Sequence, residues 1–192
     1  MRLFVAVAPT DAARRALVDV QRRVADELGR DADGIRWVRP EHLHVTLVFL
    51  GEVADAHVPA IVDACSRAVS SPPFDVVFAG PGVFPSRGAP RALWIGVESE
   101  AEALVALHRE MAGRVARVGA AIAAGAFHPH VTLGRWRRSR SSDRGRAIDL
   151  LPRGAVARQT VNRVTLFRSV LPLVQHAGPT YAALAHANLT PM

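Results

Sequence analysis

The segment His42-Leu43-His44-Val45-Thr46-Leu47 returns 86 residues later as His128-Pro129-His130-Val131-Thr132-Leu133. Each copy closes the same series of elements. The first series opens with Leu3–Ala8, a short apolar run of β-like composition. Asp11–Arg30 follows, with Leu17, Val20, Val24 and Leu28 at helical spacing. The second opens with Ala92–Val97, and Ser99–Val118 follows with Leu104, Leu107, Met111 and Val115, each 87 residues after its counterpart. Many helices share an apolar spacing. A strand, a helix and H-x-H-V-T-L in one order, at nearly one offset, is far more restrictive. It predicts an internal duplication with two similar lobes related by a pseudo-two-fold. Two copies at this period are too few for a solenoid.

The remaining pattern fits between these landmarks. Asp55–Val69 reads as a helix, and Phe74–Ala79 and Val161–Phe167 read as strands in corresponding places of the two halves. Tyr181–Ala187 reads as a last strand. Thr10 or Asp11 caps the first helix. Gly80–Pro90 reads as a Gly/Pro-rich loop between lobes, and Trp136–Arg146 as an Arg/Ser loop before a short helix at Ala147–Leu151. The expected fold is α+β: one domain over residues 1–192, built of two interleaved lobes. Two mainly antiparallel sheets flank a central cleft, with helices on their outer faces. At 49% apolar and 21% charged residues the chain is not disordered. No apolar run is long enough to span a membrane, and Leu3–Ala8 reads as a buried strand and not a signal peptide. The one cysteine, Cys65, permits no internal disulfide and reads as core. A cytoplasmic monomer is the expectation.

Side chains at i and i+2 of a strand share a face. His42, His44 and Thr46 therefore point one way in the first motif, and His128, His130 and Thr132 in the second. A pseudo-two-fold that brings the strands together gathers imidazoles and hydroxyls around one cleft. That set suits phosphoryl transfer without a metal. A neutral imidazole takes a proton from water, a charged one protonates the leaving oxygen, and hydroxyls and an Arg hold the phosphoryl oxygens. Arg135, expected just beyond the strand's end, is the candidate cation. A zinc site built from the two H-x-H pairs is the competing reading. Pro129 interrupts the second pair, no carboxylate shares the pattern, and the element repeated most fully is H-V-T-L, whose Thr is a poor zinc ligand. His57 and His108 read as exposed helical residues, and His176 and His186 suggest no partner. With no P-loop and no G-x-G-x-x-G after a strand, ATP and dinucleotide use lack support. No cofactor is expected.

Charge is distributed unevenly. Residues 1–134 hold 14 Arg and 15 acids, a balance of −1; residues 135–168 hold 10 Arg against Asp143 and Asp149, a balance of +8. Such a block points to an anionic partner, phosphate first. Arg137, Arg138 and Arg140 are its candidates for phosphates beyond the scissile one.

With these residues the chain resembles the 2H phosphoesterase superfamily, and within it the RNA 2′,3′-cyclic phosphodiesterase branch, also described as 2′-5′ RNA ligases. The resemblance runs through Trp37–Gly51, Phe84-Pro85, Arg91–Trp94, His128–Arg135 and Val164–Ser169. It implies a bilobal α+β fold and hydrolysis of a 2′,3′-cyclic phosphate to a 2′-phosphomonoester without a metal. It implies His44 as general acid, His130 as general base, and Thr46, Thr132 and Arg135 as phosphate ligands. The implied partner is RNA with a 2′,3′-cyclic phosphate end, or a small cyclic nucleotide such as ADP-ribose 1″,2″-cyclic phosphate. The alternatives are 2′-5′ ligation of tRNA halves and a non-catalytic RNA-binding module. The two motifs are too alike for residue types alone to assign acid and base.

Overall fold

The Thr10 hydroxyl accepts the Ala13 amide hydrogen at 3.3 Å and caps the first helix; Gly29, at φ +57°, ends it. Between these caps α1 (Asp11–Leu28) buries Leu17, Val20, Val24 and Leu28, as the spacing predicts. The computed structural model describes residues 1–99, 102–122, 125–170 and 178–191. Its other helices are α2 (Val58–Ser66), α3 (Ala103–Arg117) and α4 (Asp143–Leu150). In the first half the strands are β1 (Arg2–Val7), β2 (Ile35–Trp37), β3 (Val45–Glu52), β4 (Val69–Ser70) and β5 (Phe74–Phe84). They continue with β6 (Ala92–Ser99), β7 (His130–Trp136), β8 (Ala157–Val161), β9 (Arg163–Val170) and β10 (Thr180–Thr190).

The α+β class stands, but the two expected sheets are continuous. The strand order is β4-β10-β9-β1-β3-β7-β6-β5-β8, with β2 beside β7. The halves join through one residue pair, Val45 with Val131. Outward from it the order is β3, β1, β9, β10 on one side and β7, β6, β5, β8 on the other. Thus β9 and β5 hold corresponding places. All pairings are antiparallel except that of β10 with β4. The helices cross over. α1 follows β1 yet packs on β7 and β8, while α3 follows β6 and packs mainly on β3.

A β-bulge occurs at the same point of each half. In β1–β3, Val5 faces Val48 and Ala6 faces Thr46, so Leu47 is passed over. In β6–β7, Leu93 faces Gly134 and Trp94 faces Thr132, so Leu133 is passed over. An extra residue inverts the alternation of faces beyond it. Phe49 therefore joins the face of Thr46, and Arg135 that of Thr132.

Several boundaries differ from the sequence reading. The first motif strand starts at Val45, because Arg39, Pro40 and their neighbours form a 3₁₀ turn over Pro40–His42, closed by His42 N–H to Arg39 C=O at 2.9 Å. The helix expected over 55–69 opens as a 3₁₀ turn at Asp55–His57 and ends at Ser66; Val69 belongs to β4. Gly80–Phe84 is strand and not loop. Gly80, at φ +77°, absorbs the register break between Phe78 and Pro81, so pairing with β6 resumes after it. The strand expected at 161–167 is two, β8 and β9, and Trp136 lies within β7. The helix expected from Ser99 starts later: Ser99 closes β6, residues 100 and 101 lie outside the described residues, and α3 begins at Ala103.

Candidate active site

His44 precedes β3 and His130 opens β7, so both sit beside the Val45–Val131 junction. They line one cleft of about 550 Å³ with Thr46, Thr132 and Arg135, so the five candidate site residues converge there. Arg135 is within β7, and the Leu133 bulge turns it toward the cleft.

The two imidazoles are held alike. His44 Nδ1 lies 2.7 Å from the His42 carbonyl oxygen, and His130 Nδ1 lies 2.7 Å from that of His128. A carbonyl only accepts, so each Nδ1 carries the hydrogen and donates. Each neutral ring is thereby fixed in the tautomer whose Nε2 exchanges protons. The first residue of each H-x-H thus acts through its backbone. Their side chains serve elsewhere. His42 is buried under Arg39, whose Nη2 is 3.2 Å from Nε2, and its ring is 4.5 Å from that of Tyr181. His128 is exposed and packs edge-on to Trp94 at 4.8 Å.

Aromatic walls differ between halves. Phe4 lies 4.8 Å from His44, and Tyr181 meets it edge-on at 5.3 Å. Phe84 meets His130 edge-on at 5.0 Å, and Trp94 is at 5.8 Å. The indole of Trp94 lies over Gly82, where a Cβ would stand 2.0 Å from it. Burial is the main cause that lowers the pKa of His44, to about 4, with the charges of His130 and Arg135 adding to it. His130 is also lowered, again chiefly by burial. Burial lowers His42 as well, helped by Arg39, and raises Tyr181.

The carbonyl of each bulged leucine is tied to a helix of the opposite connection. Gln21 of α1, only 6% exposed, donates from Nε2 to Leu133 O at 2.7 Å and to Val38 O at 2.8 Å. His108 of α3 donates from Nδ1 to Leu47 O at 2.7 Å, and its ring stacks on Phe127 at 4.3 Å. These two side chains lie 87 residues apart, the offset of the helix repeat, so the pair of polar residues on otherwise apolar faces was a signal available in the sequence. The expectation that His108 is exposed is corrected: it is half-buried and bonded. His186 also has a partner, the Thr165 hydroxyl at 2.9 Å. His57 is exposed as expected, and His176 lies outside the described residues. Among the described residues no three His, Cys, Asp or Glu side chains gather as a metal site.

A model of the family described as LigT-like phosphoesterase matches residues 7–94. An RNA 2′,3′-cyclic phosphodiesterase of Archaeoglobus fulgidus is 36% identical over 72% of this chain and 74% of its own length. That of Aquifex aeolicus is 31% identical over 88% of this chain and 89% of its own. The chain belongs to the LigT-like phosphoesterase family. A Thermus thermophilus protein of known crystal structure superposes on this LigT-like phosphoesterase with a TM-score of 0.78. Its identity is 28%, and the match covers 100% of this chain and 99% of its own. Escherichia coli LigT in complex with 3′-AMP gives a TM-score of 0.69 at 25% identity, covering 98% of this chain and 97% of its own. This LigT-like phosphoesterase is thus a hydrolase of phosphodiester bonds. Its cleft also contains residues that sequence reasoning missed: Arg2, whose guanidinium lies 5.0 Å over the Phe49 ring, Arg36, Ser169 and Tyr181. No helix among the described residues is long and apolar enough to cross a membrane.

Proposed function

We propose that this LigT-like phosphoesterase opens 2′,3′-cyclic phosphate ends of RNA to 2′-phosphomonoesters by a two-histidine mechanism without a metal ion. The observation that carries the reading is the pair of imidazoles with matched Nδ1 anchors, facing one cleft with Thr46, Thr132 and Arg135. His130 Nε2 takes a proton from water as the water oxygen bonds to phosphorus. The bond from phosphorus to O3′ breaks, and His44 Nε2 gives its proton to O3′. The products are a 3′-hydroxyl and a 2′-phosphomonoester, and one further proton exchange with solvent restores both rings. Thr46 and Thr132 hold the non-bridging oxygens, and Arg135 opposes the charge that develops on them. The two halves act as lobes of one domain related by duplication.

Burial keeps His44 neutral near pH 7 in the free protein. A general acid must carry a proton, so the bound phosphodiester anion has to draw one onto the site. The same burial favours a second reading with the roles exchanged, since the more deeply buried imidazole is the better candidate for the neutral base. Loss of either histidine should cost ~10²–10⁴-fold in kcat/KM. A cyclic substrate with sulfur in place of O3′ separates the readings, because a thiolate leaves without a proton. If His44 is the acid, that substrate restores turnover to His44→Ala and not to His130→Ala; the reverse pattern exchanges the roles. Near-wild-type turnover by either variant on the oxygen substrate contradicts the mechanism.

A further inference from the structure

Beyond the cleft, a second groove of about 500 Å³ shares Arg36 and Arg135 with it. Its other cations are Arg91, Arg137 and Arg138, and Trp136 and Ser139 complete one side. Three separate segments supply these residues: β2, the approach to β6, and β7 with the loop that follows. Arg36 and Arg135 face each other in the β2–β7 ladder. The loop is tied down, with Arg137 N–H donating to Gly34 O at 2.8 Å and the Ser139 hydroxyl donating to Pro90 O. Trp136 N–H donates to Arg91 O at 3.1 Å, which fixes the groove's far wall.

No carboxylate lines this groove or the cleft among the described residues. Among those residues, too, none of the five guanidinium groups has an ion-pair partner. Three other arginines of the block are engaged within the fold. Arg144 donates to Pro85 O at 2.9 Å and Gly88 O at 2.7 Å, Arg146 pairs with Asp31, and Arg153 lies 3.6 Å from Asp149. Arg140 does not line the groove; it lines a neighbouring cavity beside Asp143 and Asp31, which Trp136, Arg138 and Ser139 also border. Like charges without an ion-pair partner are thus gathered where the groove meets the cleft. Like charges repel one another, and an anion placed between them relieves that repulsion.

We infer that this groove carries the RNA strand that leads to the terminal cyclic phosphate, with Arg91, Arg137 and Arg138 on successive backbone phosphates. The inference rests on the phosphodiesterase reading and makes a polynucleotide the substrate, in preference to a free cyclic nucleotide. Trp136 offers a surface beside the phosphates on which a base can stack.

The test is equilibrium binding of a fluorescent oligoribonucleotide ending in a 2′-phosphate, followed by anisotropy across a salt series, beside the nucleoside 2′-monophosphate. Each neutralised phosphate of a single strand adds ~0.7 to the slope of log affinity against log salt. Three further contacts make the oligomer's slope steeper than the mononucleotide's by ~2. Arg91→Ala should remove ~0.7 of that difference, and Arg91→Ala/Arg137→Ala/Arg138→Ala nearly all of it. Arg140→Ala, which removes the same charge outside the groove, should leave the slope unchanged. Equal slopes for both ligands, or an Arg140→Ala effect as large as that of Arg91→Ala, would overturn the inference. Turnover of cyclic ends is measured separately: a protein that binds the strand as expected but opens no cyclic phosphate contradicts the phosphodiesterase reading and leaves the groove standing.

Discussion

Gln21→Met probes the link between a buried helix residue and Arg135, the arginine proposed to hold phosphate. Methionine matches glutamine in length and shape and lacks its two donors. Gln21 Nε2 holds Leu133 O and Val38 O. In the variant Leu133 O keeps its bond from Val38 N–H at 2.8 Å, whereas Val38 O loses the side-chain donor. A buried acceptor left without a partner costs ~1–3 kcal/mol; Val38 O is part-buried beside the cleft, so the expected loss is about 1 kcal/mol. For a chain of this size that lowers Tm by roughly 2–4 °C. The catalytic effect is the sharper part. Leu133 is the bulged residue that turns Arg135 into the cleft, so slack there should lower kcat more than it raises KM for the cyclic end. His108→Leu supplies the control. It removes the equivalent bond to Leu47 O, but the residue turned inward by that bulge is Phe49, which offers no charge to phosphate. The two variants should lose comparable stability, with the larger kcat loss in Gln21→Met. Thermal melts and steady-state kinetics on both proteins check this. Equal kcat losses, or a Gln21→Met protein as stable as wild type, would refute the reasoning.

Two further outcomes follow from the same geometry. His44 releases its proton more readily in the folded chain, at about 4 against 6.5, so the unfolded chain binds more protons between those values and stability falls as pH drops through that window. At ~1.4 kcal/mol per tenfold change in proton affinity the full difference is about 3 kcal/mol, reduced somewhat by the part of the ring open to the cleft; denaturant midpoints for wild type and His44→Gln should diverge from pH 6.5 down to 4, and parallel curves would contradict the burial. Gly82→Ala would drive a methyl group into the Trp94 indole, so it should cost ~1–3 kcal/mol and loosen the aromatic wall of His130, read as lower Tm together with changed tryptophan fluorescence.

The repeat in the sequence reached the site because H-x-H-V-T-L states both its alternation and its partner 86 residues away. The Val and Leu of each copy face the core, and the His and Thr that remain have one place to go. The bulges were not legible. A one-residue slip is set by the neighbouring strand and by a helix donor, and neither leaves a mark in the local pattern; hence Arg135 was expected past the strand's end and Phe49 was not considered. His42 left the strand because a turn beginning at Pro40 outweighed the alternation of the motif. Gly80–Phe84 reads as loop by composition, yet β6 and a Gly with positive φ carry it as strand. The strands β2 and β8 are short and acquire their meaning only from their partners. Arg2, Arg36 and Arg91 lie far from the arginine block in sequence and join the cleft or the groove through sheet pairing alone.

The product formed from an oligoribonucleotide with a 2′,3′-cyclic phosphate end decides whether this cleft opens cyclic phosphates without a metal, with protein dialysed against chelator and assayed with chelator present. The expected outcome is a single product with a 2′-phosphomonoester and a free 3′-hydroxyl, formed at the rate seen without chelator. Formation of a 3′-phosphomonoester, or activity that vanishes on chelation and returns with added zinc, would contradict it.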